Sequence, residues 1–266
     1  MGVFLIKILS MMHTNELNPF KFSPATWIIP TLLVLGMWLV FYVDHSFHLE
    51  LMTHGILPRT FFGLQGVVIS PFLHADLSHI TNNSLPIFVL TMALLYFYRE
   101  ISLKVVAYGI LLSGLITWVI GRDAYHIGAS GLIYVLVSFI FFKGLMTKYY
   151  RLMALSFAVV ILYGGMIWYV FPEVDKTISW EGHLAGFLTG FVFAVQFKTP
   201  DYVKEIQFPW EHPNFNPDED DFMKRFDENG NFVNPPKPEV SEETPDEVIS
   251  QPIRYVYVLK ENPKEE

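Results

Sequence analysis

Three short segments of this 266-residue chain put polar or ionisable side chains at the starts of long apolar runs. They are Gly128-Ala129-Ser130-Gly131, Glu181-Gly182-His183-Leu184-Ala185-Gly186 running on to Gly190, and His74-Ala75-Asp76-Leu77-Ser78-His79 running on to Asn83. A serine hydroxyl becomes a nucleophile when a neighbouring base takes its proton, and histidine is the commonest base. Acyl hydrolysis also needs donors aimed at the oxyanion of the tetrahedral intermediate. His79 and Asn83 lie four apart, share a helical face, and can both donate to one oxygen. Gly186 and Gly190 follow His183 at i+3 and i+7, a stripe along which another helix can approach closely. The serine segment is not the Gly-x-Ser-x-Gly elbow of soluble hydrolases, because position 132 is Leu. Each segment alone also has an ordinary structural reading: a serine bonded to the carbonyl one turn back, a small-residue packing stripe with an incidental histidine, and a polar loop capping a helix through Ser78 and Asn82.

The elements that must position these groups are membrane spans. The chain is 52% hydrophobic and only 17% charged, more apolar than a soluble core requires. Six long apolar runs lie at roughly 26 to 43, 79 to 98, 102 to 120, 128 to 143, 151 to 171 and 182 to 197. Most approach the roughly 20 residues that a helix needs to cross a hydrocarbon core about 30 Å thick. With the N-terminus inside, the inner side collects Lys7, Lys21, Arg99, Lys104, Lys143, Lys148, Arg151, Lys198 and Lys204, and the outer side only Arg59, Arg122 and Lys176. That bias predicts both termini on the cytoplasmic side. Even-numbered spans then run from outside to inside, so Ser130, His183, His79 and Asn83 all lie at a similar depth below the outer face. Taking Lys143 as the inner limit, the fourth span covers about 23 Å, which places its N-terminus below the outer surface. Backbone at that depth must line a protein-walled or water-filled cavity, and helix amides there favour developing negative charge.

The acidity is confined to the tail. From Pro200 onward there are 17 Asp or Glu against 7 Lys or Arg, whereas the remainder carries 9 and 11. A net charge of -8 argues against a nucleic-acid partner. The Pro-, Asp- and Glu-rich composition predicts a mostly disordered tail, with a docking segment for a protein partner as the alternative. Its IRYVYVLK stretch at 253 to 260 alternates like a lone strand. The first residues, VFLIKILSMM, lack the features of a cleaved signal and read as an interfacial helix or an upstream extension of a chain starting at Met11 or Met12. No cysteine is present, which removes disulfides, thiolate metal sites and cysteine nucleophiles. The predicted organisation is an N-terminal cytoplasmic segment at 1–25, a six-helix membrane domain at 26–198 and an acidic tail at 199–266.

Together these motifs resemble the rhomboid family of intramembrane serine proteases over about Pro58 to Phe197, with three separated motifs in the family's order. The resemblance implies an all-α, six-transmembrane-helix bundle, with Ser130 as nucleophile and His183 as base in a dyad without a catalytic acid. It also implies His79 and Asn83 as oxyanion donors, Tyr134 as an aromatic ring against the base, and supporting positions at His74, Gly128, Gly131, Gly186 and Gly190. Glu181 is expected to be a loop charge rather than a third member. No cofactor or metal is implied; the partners are transmembrane protein substrates and the lipid bilayer. The expected home is a bacterial inner membrane. Pro58-Arg59 stands where many relatives carry Trp-Arg. The resemblance also points to the second and fifth spans as the substrate gate, where Trp168, Tyr169 and Phe171 fit better as an interfacial aromatic belt.

Three other readings use the same polar groups. A catalytically silent rhomboid-like protein that binds membrane helices would be expected to lose the serine or the histidine, and both are present. A small-solute transporter predicts repeat symmetry between halves, and the sequence has none. A metal site from His45, His48 and His54 lacks a carboxylate pattern nearby.

Overall fold

The computed structural model describes residues 20, 22–175, 177–199, 208, 210 and 214–234. The chain divides into two compact units, Met1–Val203 and Lys204–Glu266. The first is an all-helical integral membrane protein. It contains α1 (Pro24–Phe47), α2 (Leu77–Phe97), α3 (Arg99–Ile120), α4 (Ser130–Thr147), α5 (Tyr150–Tyr163), continued by a 3-10 segment (Gly164–Val170), and α6 (Trp180–Gln196). Five of these, counting α5 with its 3-10 extension, are long and apolar enough to cross a membrane; α6 is the sixth and has 17 residues.

Helix α4 is the axle of the bundle. It is apolar on all sides, and Leu132, Ile133, Val135, Leu136, Phe139 and Ile140 are buried. A helix with no polar face is stable only when neighbours cover it, and α2, α3, α5 and α6 all pack against it. Helix α2 contributes Ile80, Ile87, Leu90 and Leu94, spaced for one helical face. Helix α1 lies outside, against α2, where the Trp38 indole donates to Ser84 Oγ at 2.9 Å. Helix α6 seats against α4 through glycines. A Cβ on Gly186 or Gly190 would run into the carbonyls of Gly131 and Val135, so the two backbones touch as small-residue stripes permit.

The structure adds one feature and changes two expectations. The outer loop between α1 and α2 is structured: 3-10 turns at Leu51–His54, Phe62–Gln65 and Ser70–Phe72 flank a single-turn helix, Gly66–Ile69. Arg59, with φ 58°, turns this loop over the end of α3. Its amide donates to Trp118 O at 3.0 Å, its guanidinium donates to Gly121 O at 2.7 Å, and it pairs with Asp123. Arg59 thereby satisfies orphan carbonyls at the C-terminus of α3.

Lys143 is not at the inner water surface. It is 8% exposed, α4 continues to Thr147, and the ammonium donates to Ala194 O at 3.1 Å and to Phe197 O. It caps the C-terminus of α6, the end of a helix where a cation is favoured. The second changed expectation is the fifth span, which stops being an α-helix after Tyr163.

In the second unit Phe208 stacks on Trp210 at 4.5 Å, and Phe226 meets Phe222 and Phe232 around a turn. The Asp227 carboxylate closes that turn by accepting from the amides of Asn229 and Asn231 at 2.9 and 2.8 Å. The 253 to 260 stretch and the first 19 residues lie outside the described residues.

Candidate active site

Helix α4 begins at Ser130 because the chain turns at Gly128, whose φ of 101° is open essentially to glycine. The Gly128 amide donates to Ser70 O at 2.9 Å, which ties the turn to the outer loop. The cap residue is Ala129, which has no side-chain acceptor, so the first-turn amides of α4 stay uncapped. A Cβ on Gly128 would meet the His79 ring, with Cε1 at 2.8 Å and Asn83 Nδ2 at 3.7 Å. The missing side chain thus opens the space between the Ser130 turn and the two α2 donors.

Those donors are set by the start of α2. The Asp76 carboxylate accepts from the His79 amide at 2.8 Å and is the cap. The alternative reading, a cap through Ser78 and Asn82, does not hold: those two bond each other at 3.4 Å on the exposed side. Asn83 is buried and donates one Nδ2 proton to His79 O at 3.0 Å, leaving the second for another acceptor. His74 is buried and stands edge-on to His79, with ring centroids 4.9 Å apart. Burial, reinforced by His79, pushes its pKa down from 6.5 to about 4.

His183 lies in the first turn of α6 and is 7% exposed. The Tyr134 ring stacks on it at 4.4 Å and 17°. Gly131, next to Ser130, and Gly186, one turn after His183, keep the helices close: Gly186 faces the Gly131 carbonyl, and a Cβ on Gly131 would lie 3.6 Å from Gly182 O. Ser130 and His183 therefore occupy the facing first turns of α4 and α6, with no hydrogen bond joining them; free enzymes often hold such pairs apart. The His183 Nδ1 is 2.9 Å from Tyr169 O. A carbonyl only accepts, so the proton is on Nδ1 and, in the neutral ring, Nε2 keeps its lone pair. The Tyr134 hydroxyl donates to Met166 O at 2.5 Å.

Two residues that sequence reasoning missed or misread hold the outer loops. Glu181 is not a solvated loop charge. It is 1% exposed, accepts from the Arg122 amide at 3.1 Å and pairs with its guanidinium at 3.6 Å. It pins the 121–127 loop to α6. His126, in that loop, donates through Nε2 to Arg122 O at 3.1 Å, and its Nδ1 is 2.6 Å from Ser179 Oγ. Ser179 caps α6 by accepting from Gly182 N at 3.1 Å, so its own proton goes to His126. Burial holds the His126 pKa below its ordinary value. Its position four residues before Ser130 was the available sequence signal.

Behind Ser130 a cavity of about 40 Å³ is lined by Ser70, Ser113, Thr117, His126 and Ser179. Ile56, Ile110, Ile127 and Leu132 also line it, so its walls are mixed, and it is large enough for water held by the polar groups. Among the described residues no cluster of three or more His, Asp or Glu could hold a metal, and His45, His48 and His54 form none.

The family model for the rhomboid domain matches residues 62–199. An uncharacterized protein of Mycobacterium tuberculosis (strain ATCC 25618 / H37Rv) is 31% identical over 189 residues, covering 66% of this chain and 78% of its own length. One of Mycobacterium leprae is 28% identical over 187 residues, with 66% and 74% covered. A protein of Acanthamoeba polyphaga mimivirus named as a rhomboid protein is 28% identical over 169 residues, with 60% and 92% covered.

Proposed function

This chain belongs to the rhomboid family, and we propose that it is an intramembrane serine endopeptidase that cleaves transmembrane segments of membrane proteins through a Ser130–His183 dyad. The observation that carries this reading is the convergence at Gly128. The bare turn before Ser130 opens toward His79 and Asn83, while the neighbouring helix presents a histidine with its Nε2 lone pair unspent.

His183 Nε2 takes the Ser130 proton as Oγ attacks the scissile carbonyl carbon. The carbonyl oxygen becomes an oxyanion held by His79, the second Nδ2 proton of Asn83 and the Ser130 amide, whose helix end favours negative charge. His183 returns the proton to the leaving amine, and an acyl-enzyme remains on Oγ. Water from the cavity behind Ser130 gives a proton to His183 as it attacks the ester carbonyl, and His183 returns that proton to Ser130 Oγ as the C–Oγ bond breaks and the new carboxyl end leaves. Tyr134 keeps the imidazole plane fixed throughout, and His74 buttresses His79. Glu181 is engaged with Arg122 and leaves the dyad without a carboxylate partner.

The site faces the outer side of a membrane that the chain crosses with both termini inside, and the charge bias suits a bacterial inner membrane. The acidic tail past residue 198 is the segment open to a protein partner.

The test is cleavage of a single-span reporter by the purified protein and by Ser130→Ala, with fluorophosphonate labelling alongside. Cleavage and labelling by the parent alone are expected. Equal cleavage by both would overturn the nucleophile, and a parent that binds the reporter without cutting it would move the chain to the silent helix binders.

A further inference from the structure

The outer end of the fifth span is wound differently from the rest of it. Gly164–Val170 is a 3-10 helix of 7 residues, whereas such runs seldom exceed 3 to 4 residues, and a stretch within a longer helix often marks a hinge. Two carbonyls of this segment accept from side chains of the site. Met166 O accepts from the Tyr134 hydroxyl and Tyr169 O from His183 Nδ1. Residues three apart eclipse one another in a 3-10 helix, which is how both carbonyls reach the stacked Tyr134–His183 pair from one side. An α-helix advances about 1.5 Å and 100° per residue against about 2.0 Å and 120° here. Continuing α5 as an α-helix from Gly164 would withdraw the Tyr169 carbonyl by roughly 2.5 Å and rotate it by roughly 100°. The bond from His183 to Tyr169 O does not survive that change, whereas Met166, two residues on, moves by only roughly 1 Å and 40°.

The surroundings permit it. A cavity of about 270 Å³, lined by Tyr134, Ser138, Tyr163, Met166, Ile167 and Phe187, lies between this segment, α4 and α6. Helix α5 packs on α4, while Ile161 and Leu162 face outward, 83% and 68% exposed. Two consecutive glycines, Gly164 and Gly165, mark the junction, where α-helix propagation is weakest.

We propose that the Tyr169 backbone carbonyl is a positioning group for His183, acting only while Gly164–Val170 is wound as a 3-10 helix, so that the winding of the outer fifth span sets the tautomer and orientation of the base. This rests on the dyad proposed above. A neutral imidazole released from Tyr169 O can carry its proton on either nitrogen, and the Nε2–H form cannot accept from Ser130.

The experiment uses the full chain carrying Gly164→Ala and Gly165→Ala together. A Cβ at 165 meets nothing within 4 Å and one at 164 makes ordinary contact with Val160, while alanine lets α5 propagate. The imidazole ¹⁵N spectrum of His183 is expected to show the Nδ1–H tautomer in the parent and a mixture in the variant. Fluorophosphonate labelling of Ser130 is expected to slow about tenfold, while the thermal midpoint holds or rises; a merely structural role would lower both. Combined with Tyr134→Phe, which removes the other bond to the segment, the losses should fall short of multiplying. Parent His183 protonated on Nε2, or a variant that keeps the Nδ1–H tautomer and the parent labelling rate, overturns the proposal. A parent that fails to label defeats the dyad instead, and the ring spectrum still decides the tautomer.

Discussion

Helices α5 and α6 both lean on α4, yet they are held in opposite ways. Helix α6 is clasped along its length, by backbone contact at Gly186 and Gly190, by Lys143 at its inner end, and by the Ser179–His126 and Glu181–Arg122 pins at its outer end. Helix α5 is clasped at its inner end, where Gly144 fits beneath Ser156 and Leu152. Its outer end is tied to the site through the two carbonyl bonds to Tyr134 and His183, beside a cavity. The proposed base therefore rides on the stiff helix but takes its tautomer from the loose one. The proposed activity, which holds reacting groups still and yet admits a membrane-spanning substrate, calls for both kinds of support.

The contrast predicts where substitutions hurt. Gly190→Leu drives a side chain into the Val135 carbonyl on the stiff seam; it should destabilise by about 3 kcal/mol or more, read as loss of a folded species in detergent. If it is tolerated as well as alanine at Gly165, the two seams are not different. Acid acts through two buried histidines, His74 beside α2 and His126 in a pin of α6. The folded His74 binds a proton only near pH 4, whereas the unfolded chain binds it from about 6.5. Stability contributed by the neutral ring is thus full above 6.5 and lost as pH falls toward 4, on the order of 3 kcal/mol. His126 shifts in the same direction and adds to the loss. Thermal midpoints measured from pH 7 to pH 4 should fall through this window, and His74→Phe should remove much of the slope.

Glu181→Gln breaks a pin without emptying its space. Since the Arg122 side chain is 40% exposed, the loss should be about 2 kcal/mol, less than for a fully buried pair. An unchanged midpoint would show that the loop does not depend on the Glu181 charge. The smallest effect belongs to the inner clamp of α5. Ser156 Oγ donates to Phe141 O at 2.9 Å, and Ser156→Ala should remove about 1 kcal/mol while leaving the His183 tautomer untouched. A changed tautomer would mean that the two ends of α5 are not independent.

The sequence by itself determined the apolar spans. Their alternation through a bilayer predicts Ser130, His183, His79 and Asn83 at one level, because a helix in hydrocarbon must satisfy its backbone internally and run straight through. The long run from 151 to 171 was legible as one span, but not its change of winding at Gly164, since apolar composition is the same in both registers. Lys143 and Glu181 were misplaced for a common reason. A charge read in one dimension looks like a surface marker, and only packing reveals the carbonyls of α6 waiting for one and the Arg122 of another loop waiting for the other. The bonds that set His183 and Tyr134 were invisible for a deeper reason: their acceptors are backbone carbonyls, which every residue has. Which carbonyl stands near which side chain is decided by tertiary structure alone.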